Sequence, residues 1–322
     1  MEKDMVWKRF FSDNERYADL INGIGCRGKQ IVCRDDLEEL DTQTGIWRNL
    51  RLVRERKSVR FSHRNGIRDM LRKVALGINF AVIGVENQEE IDYRLPLRIM
   101  SYDIGEYERQ AARIRKEIRR NHSGLKPGEY LYGFRKDSRL YPVVTFILYS
   151  GSEDWDGALN LHGIIDFEDI PQDLVELVND YHMHLVEIRK LKNTDMFRTD
   201  VRQVFDFIRY SGDSEKLKDL VMNDRYYQDM DEDAFDVVVT YTKAEELIQV
   251  KDYHRKDGKV DMCEALTTLI KEGEVRGKAE GEECFAILTE KLLRESRTED
   301  LLKATSDKEF RKELYRELGI EE

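Results

Sequence analysis

The stretch Phe80-Ala-Val-Ile-Gly-Val-Glu-Asn-Gln88 decides the fold, because an apolar run of strand-forming residues ends there in polar side chains. Alternate side chains of a strand share a face, so Glu86 and Gln88 point the same way. The preceding stretch, residues 67–75, predicts a second strand, and Gly77-Ile78 predicts the turn between the two. The sequence therefore predicts an antiparallel hairpin over residues 66–88.

The register of this hairpin brings two carboxylates together. With the turn at Gly77-Ile78, the numbers of opposed residues add to 155, which places Asp69 opposite Glu86. Cβ atoms of such pairs lie about 5 Å apart. Two carboxylates this close repel unless a cation lies between them or one of them is protonated. The pair therefore predicts a site for a hard divalent ion, Mg²⁺ with Mn²⁺ or Ca²⁺ as alternatives, and the backbone carbonyl of Asn87 is a candidate third ligand.

An Asp followed by Glu-x-Gln on the next strand and then by a helix resembles the PD-(D/E)xK nuclease core. The third residue of that core is usually Lys, whereas Gln88 stands here. A glutamine can hold a water molecule by hydrogen bonds, but it supplies no positive charge to developing negative charge. Arg98 and Lys73 are the candidates to supply that charge. Asp19, in the first helix, resembles an extra acid that this superfamily often carries.

The resemblance extends along residues 3–160, which look like the Rpn family of recombination-promoting nucleases, often labelled transposases. The order and spacing of several pieces carry it. The pieces are Phe10–Asn22, Arg68-Asp69, Gly84–Gln88, Leu95–Asp103 and Tyr141–Gly151, continued by Trp155-Asp-Gly and Met262–Leu266.

The Rpn resemblance implies a metal-dependent endonuclease that hydrolyses double-stranded DNA with low sequence specificity, linked to recombination or mobile elements. The catalytic residues it implies are Asp69, Glu86, Gln88 and Asp19. A three-carboxylate core of the integrase type is not visible in the sequence, so strand transfer is not predicted. The alternative is a catalytically weak or inactive DNA-binding or regulatory protein on a nuclease scaffold, which Gln88 and the net acidity favour.

The charge of −11 is unevenly distributed. Residues 48–73 and 109–139 each contain ten Lys or Arg, whereas residues 153–180 contain nine acids and no base. Basic segments that flank the metal motif predict contact with a phosphate backbone. The predicted DNA-binding residues are Arg60, Arg64, Arg68, Lys73, Arg98, Arg109, Arg113 and Lys116. A third hypothesis is that the acidic C-terminal half occludes this basic face.

The remaining pattern predicts an α/β fold. Residues 5–23 predict a first helix, which Asp13 or Asn14 could break or cap. Apolar residues spaced by three and four from Met100 to Ile118 predict a helix of about seven turns that begins near Pro96. The apolar run at residues 141–149 predicts a buried strand parallel to the motif strand.

We therefore predict a PD-(D/E)xK-like core with a mixed central sheet flanked by helices and a mostly helical C-terminal region. The predicted organisation is a nuclease core at 1–160, the remainder of the core or a helical lobe at 161–255, and a charged helical tail at 256–322. Glycines every fourth residue in the tail, Gly273, Gly277 and Gly281, allow close helix approach, so a homo-oligomer through the C-terminal helices is one expectation.

The composition indicates in which cellular compartment the protein is expected. The sequence lacks an apolar run of about 18 residues, so no membrane span is expected. The N-terminal residues lack the apolar segment of a signal peptide. The four cysteines form no C-x-x-C pair, which is typical of reduced thiols in a cytoplasmic protein.

Overall fold

The computed structural model describes residues 3–40, 43–44, 66–67, 70–76, 79–121, 123–242 and 244–320. The described chain divides into two compact units. The first comprises Met1–Tyr226 with Asp231–Lys243, and the second comprises Tyr227–Met230 with Ala244–Glu322. The central sheet belongs to the first unit.

The described residues form α-helices that are joined by short 3-10 and π turns. The helices are α1 Lys3–Phe10, α2 Asn14–Leu20, α3 Leu95–Arg120, α4 Pro127–Tyr132, α5 Gln172–Val175, α6 Val201–Tyr210, α7 Ser214–Asn223, α8 Glu232–Thr242, α9 Glu245–Lys251, α10 Met262–Arg294, α11 Thr298–Ser306 and α12 Lys308–Glu317. The strands are β1 Leu37–Glu39, β2 Gln43–Thr44, β3 Gly66–Ile67, β4 Met70–Leu76, β5 Asn79–Gln88, β6 Val143–Tyr149, β7 His184–Glu187, β8 Met230–Asp231, β9 Arg255–Lys256 and β10 Lys259–Val260.

The main sheet of the described residues has five strands in the order β1-β4-β5-β6-β7. The pairs β1–β4 and β4–β5 are antiparallel, whereas β5–β6 and β6–β7 are parallel. The long helix α3 connects β5 to β6, which is the crossover that a parallel pair requires. The predicted mixed α/β sheet with flanking helices is confirmed, as is the parallel pairing of the two apolar strands.

The hairpin register agrees with the prediction from the turn. Met70 lies opposite Val85 and Leu76 opposite Asn79, and the numbers of both pairs add to 155. The ladder between them has no slip, so the register assigns Glu86 and Gln88 to the same face of β5. Asp69 lies outside the described residues, and its pairing with Glu86 stays a prediction.

The predicted first helix at 5–23 is wrong in one respect, because the chain forms two helices with a break at residues 11–13. Asp13 caps α2, and its Oδ1 accepts a hydrogen bond from the backbone N–H of Glu15 at 2.7 Å. An Asp side chain satisfies an otherwise unpaired N–H at a helix start, which favours a new helix there over continuation of the old one.

The helix predicted after Pro96 is confirmed, and its predicted apolar stripe is correct at Ile118, which is buried, but wrong at Ile104. Ile104 is exposed, and the buried face runs instead through Leu95, Ile99 and Tyr102. These side chains pack with Ile147 of β6 in one apolar cluster. The rest of the buried face of α3 contains polar residues that hydrogen-bond to the sheet. Apolar spacing alone could not identify this face.

Side chains on α3 fasten the helix to the start of β6. Gln110 binds both backbone groups of Tyr141: its Oε1 accepts from the N–H at 2.7 Å and its Nε2 donates to the carbonyl at 3.4 Å. The Tyr107 hydroxyl accepts a hydrogen bond from the N–H of Val143 at 3.1 Å. The helix thereby sets where β6 begins.

The sheet extends past residue 160, because β7 at His184–Glu187 forms its edge. In the second unit, α10 packs through Leu288 and Leu292 against α11 and α12. A Cβ added at Gly273, Gly277 or Gly281 would meet no described atom within 4 Å. The close helix approach that these glycines allow is therefore not made within the described chain, and the oligomer stays a prediction.

Candidate active site

Glu86 lies near the carboxyl end of β5, where the antiparallel and parallel halves of the sheet meet. Its register partner on β6 is Ile147. The side chain is 6% exposed. Burying a carboxylate is costly unless charges or donors compensate it, and Arg98 supplies one such charge, with its Nη2 atom 3.3 Å from Oε1 of Glu86. Glu86 is therefore a buried acid with a cation beside it.

Gln88 shares the same arginine. The Nη2 atom of Arg98 donates to Oε1 of Gln88 at 2.7 Å, and Nε2 of Gln88 donates to the carbonyl of Glu90. The amide is thus oriented at both ends. The positive charge that Gln88 lacks lies directly next to it, on a residue ten positions later in the chain.

Arg98 is held in place by the start of α3. Its Nη1 atom lies 2.9 Å from Oδ2 of Asp92. Asp92 also accepts the N–H of Arg94 on its other carboxylate oxygen and the N–H of Leu95 on its carbonyl, both at 2.9 Å. Asp92 therefore hydrogen-bonds to the start of the helix and positions the guanidinium at the same time. The sequence reasoning missed Asp92; an acid just before a helix that starts with Pro is the signal that could have found it.

The other candidates for the missing charge and for metal binding lie elsewhere. Lys73, on β4, pairs with Glu38 of β1 at 3.4 Å and lies opposite Val82, four residues before Glu86. Asn87 follows Glu86 on β5 and lies opposite Leu148 of β6. Of the two positive side chains considered, the structure brings Arg98 to Gln88.

Asp19 is buried, and its carboxylate is engaged by the loop before α6. Its oxygens accept hydrogen bonds from the backbone N–H groups of Arg198 and Thr199 at 2.7 to 3.0 Å, and from the Thr199 hydroxyl at 2.7 Å. A carboxylate with this many donors ties two segments together. Through these contacts Asp19 holds α2 to the loop before α6.

Two further buried acids lie on α3 and were missed. Asp103 accepts hydrogen bonds from the hydroxyl of Thr145 at 2.6 Å and from that of Tyr181. Glu106 forms an ion pair with Arg109 at 2.8 Å. Polar residues spaced by three and four on a helix that follows the motif strand are the signal that could have identified this face.

The predicted DNA-binding residues divide into three groups. Arg60, Arg64 and Arg68 lie outside the described residues. Lys73, Arg98 and Arg109 form ion pairs within the protein. Arg113 and Lys116 are exposed on α3 and make no ion pair to a described residue. The second half of α3 therefore offers positive charge to a partner.

A metal centre is not visible in the part of the chain that the structure describes. Groups of three or more His, Cys, Asp or Glu suited to a metal ion are absent from the described residues. Glu86 is the described carboxylate of the predicted pair, and Asp69 would have to supply the second. The predicted ligand set is thus represented only in part.

Comparison of the chain with protein-family models, with curated proteins and with solved structures gave no match. The Rpn and PD-(D/E)xK resemblances therefore stay predictions from the motifs. Among the described helices, none combines the length and the apolar character needed to cross a bilayer.

Proposed function

We propose that the protein is a metal-dependent DNA endonuclease, with a PD-(D/E)xK-like core, that hydrolyses phosphodiester bonds with low sequence specificity. One observation carries the proposal: Glu86 and Gln88 share the guanidinium of Arg98 at the carboxyl end of β5. An acid, a water-holding amide and a positive charge at one strand end are what phosphodiester hydrolysis requires beside a metal ion.

The ligands for Mg²⁺, or for Mn²⁺ or Ca²⁺ in its place, would be Asp69, Glu86 and the backbone carbonyl of Asn87. These are hard oxygen donors, which suit such ions. When bound, the ion lowers the pKa of a water ligand and stabilises negative charge on the phosphate.

The residues of the chain itself have separate roles in this proposal. Gln88 accepts a hydrogen bond from Arg98 and is oriented to hold the attacking water through its remaining capacity. Arg98 places a fixed positive charge beside the reacting phosphate. Asp92 is a positioning residue, because it holds Arg98 and touches no reacting atom. Arg113 and Lys116 bind the DNA backbone without reading sequence.

The test is cleavage of supercoiled plasmid by the wild type, Asp69→Ala and Glu86→Gln, each with Mg²⁺, Mn²⁺, Ca²⁺ or EDTA. Glu108→Gln is the matched control, because Glu108 is an exposed acid on α3. We expect metal-dependent nicking in the wild type and control and none in the other two variants. Equal nicking by all four proteins would mean a contaminant or a misplaced site.

A second candidate function is a DNA-binding or regulatory protein that does not cleave. The ion pair between Arg98 and Glu86 favours it, because a guanidinium beside a buried carboxylate can take the place of a metal ion. Titration with Mn²⁺ separates the two functions. Binding that is lost in Glu86→Gln supports the nuclease, whereas DNA binding without any Mn²⁺ binding supports the regulator.

A further inference from the structure

A cavity of about 650 Å³ opens beside the candidate active site, within the first unit. Much of its wall comes from the segments that follow β5, β6 and β7, which are parallel to one another, and the rest comes from the ends of α6 and α8. Ligands of α/β proteins bind outside the carboxyl ends of parallel strands. The backbone N–H of Ser150, in the wall, donates to the carbonyl of Gln88 at 3.0 Å, so the cavity adjoins the proposed catalytic strand.

Arg189 lines this cavity and forms no ion pair at bonding distance with a described carboxylate, although Glu89 is near enough to act on its charge. Its Nε donates to the carbonyl of Ser150 at 3.0 Å, and its Nη1 donates to the carbonyl of Ile208 at 2.8 Å and to the hydroxyl of Ser211 at 2.7 Å. Its Nη2 makes no hydrogen bond to a described residue. Burial lowers the pKa of the Arg189 guanidinium. The side chain is therefore rigidly held and keeps one donor for a ligand.

The part of the cavity wall next to Arg189 is polar and closely packed. The hydroxyl of Ser150 is buried and has no hydrogen-bond partner in the described part of the chain. A Cβ at Gly151 would lie 2.4 Å from the carbonyl oxygen of Glu89, so glycine is needed for this close approach. Buried polar groups are normally paired, and a ligand with hydrogen-bonding edges can pair with those that line the cavity.

The charges of the side chains that line the cavity indicate which class of ligand it can bind. Glu89, Glu90 and Glu153 line the cavity together with Arg189, so carboxylates outnumber the cation. An isolated phosphate is disfavoured by this balance. Tyr93 is 59% exposed and contributes an aromatic ring to the lining. An aromatic face, carboxylate acceptors and a guanidinium donor together suit a flat ring whose edge carries both donors and acceptors.

We propose that this cavity binds an unstacked nucleobase of the nucleic acid whose backbone lies at Glu86 and Gln88. The base stacks on Tyr93 and receives a hydrogen bond from Arg189, while its N–H groups donate to carboxylates of the lining. Enzymes that take a base out of a stack hold it in this way, by edge hydrogen bonds and aromatic contacts. The inference deepens the proposed nuclease function and rests on it, because the nuclease substrate supplies the base.

The test measures binding of free guanosine, adenosine and cytidine by saturation-transfer NMR and calorimetry, in EDTA, with inorganic phosphate as the competing anion. Gly212→Phe is the key variant, because Gly212 lines the cavity and a Cβ there meets no described atom within 4 Å. A larger side chain therefore meets no clash at its Cβ, and we expect its ring to occupy part of the cavity. Gly212→Ala is the matched control, and Tyr93→Ala removes the exposed ring while leaving Gly212 in place.

We expect a nucleoside to bind to the wild type and to Gly212→Ala, no binding to Gly212→Phe, and about tenfold weaker binding to Tyr93→Ala. Circular dichroism verifies that each variant is folded. Binding of phosphate alone, or equal nucleoside binding by Gly212→Phe, would overturn the inference. Plasmid nicking without any nucleoside binding would overturn the nucleobase site but would still support the nuclease. Nucleoside binding without nicking would support the site and overturn the nuclease.

Discussion

The Nη2 atom of Arg98 lies 3.3 Å from Oε1 of Glu86, so the acid that would bind a metal ion already has a cation at its side. In a nuclease Glu86 would hold the metal ion, and Arg98 would supply a second positive charge to the phosphate. In a regulatory protein the guanidinium takes the place of the ion. Arg98 would therefore assist the metal ion in a nuclease, whereas it would replace the metal ion in a regulatory protein.

Arg98→Gln separates these effects. If Arg98 stabilises charge on the phosphate, its loss lowers plasmid cleavage about 100-fold, as removal of one such donor does in other enzymes. Arg98→Lys retains the charge and should recover part of the rate. Arg94→Gln is the control, because that side chain lies in the preceding turn and is 87% exposed. Tighter Mn²⁺ binding by Arg98→Gln, without any cleavage, would instead point to the regulator.

Removal of the exposed charges on α3 should weaken DNA binding without changing sequence preference. Arg113→Ala and Lys116→Ala each remove one phosphate contact, so the slope of log affinity against log salt concentration should fall by about one. Fluorescence anisotropy with two unrelated duplexes measures this effect. Lys218→Ala, on α7 within residues 212–236, which contain nine acids and three Lys or Arg, should leave both affinity and slope unchanged. A loss of equal size there would mean that net charge alone controls binding.

Asp19→Asn should destabilise the protein more than it affects chemistry. The carboxylate accepts hydrogen bonds from Arg198 and Thr199, and an amide accepts fewer and carries no charge. We expect a loss of about 3 kcal/mol in the free energy of unfolding, measured with urea. Glu15→Gln, an exposed acid on the same helix, is the control. A stable variant that no longer cleaves would restore Asp19 to the catalytic set.

Stability should depend on pH through Asp206. Burial raises the pKa of this carboxyl, and the hydroxyl of Thr194, which donates to it, opposes the rise only in part. A raised folded pKa means that the stability from the protonated acid is present below the unfolded pKa and is lost as pH rises through the folded one. Asp206→Asn should therefore gain stability over the wild type between about pH 4 and pH 7. Urea unfolding of both proteins at the two ends of that range measures the effect. If the free energies of unfolding of variant and wild type differed by the same amount at both pH values, the prediction would be contradicted.

The hairpin, the crossover and the sheet could be predicted because they depend on local pattern. A two-residue turn fixes the register of β4 and β5, and two apolar strands separated by a long helix leave little choice but a parallel pair. The buried face of α3 could not be predicted from apolar spacing. Gln110 reaches Tyr141, and Asp103 reaches Thr145, across 31 and 42 residues, so their burial depends on partners that no local window contains.

The candidate site was predicted in part for the same reason. Glu86 and Gln88 follow from alternation along one strand. The contact of Arg98 with both depends on Asp92, which fixes the guanidinium from outside the helix. Hydrophobic periodicity carries no information about the direction of a long charged side chain. For Asp19, a buried acid in a helix has the same sequence signature whether it binds a metal ion or backbone amides, so its catalytic role stays a prediction.

The amide of Gln110 pairs with Tyr141 as the backbone of a neighbouring strand would, with one donor and one acceptor. This single side chain closes a loop that contains α4. The entropic cost of closing a loop grows slowly, by about 0.6 kcal/mol for each doubling of its length. The segment between Gln110 and Tyr141 should consequently accept inserted or deleted residues at small cost, while the hydrogen bonds from α3 keep the start of β6 in place.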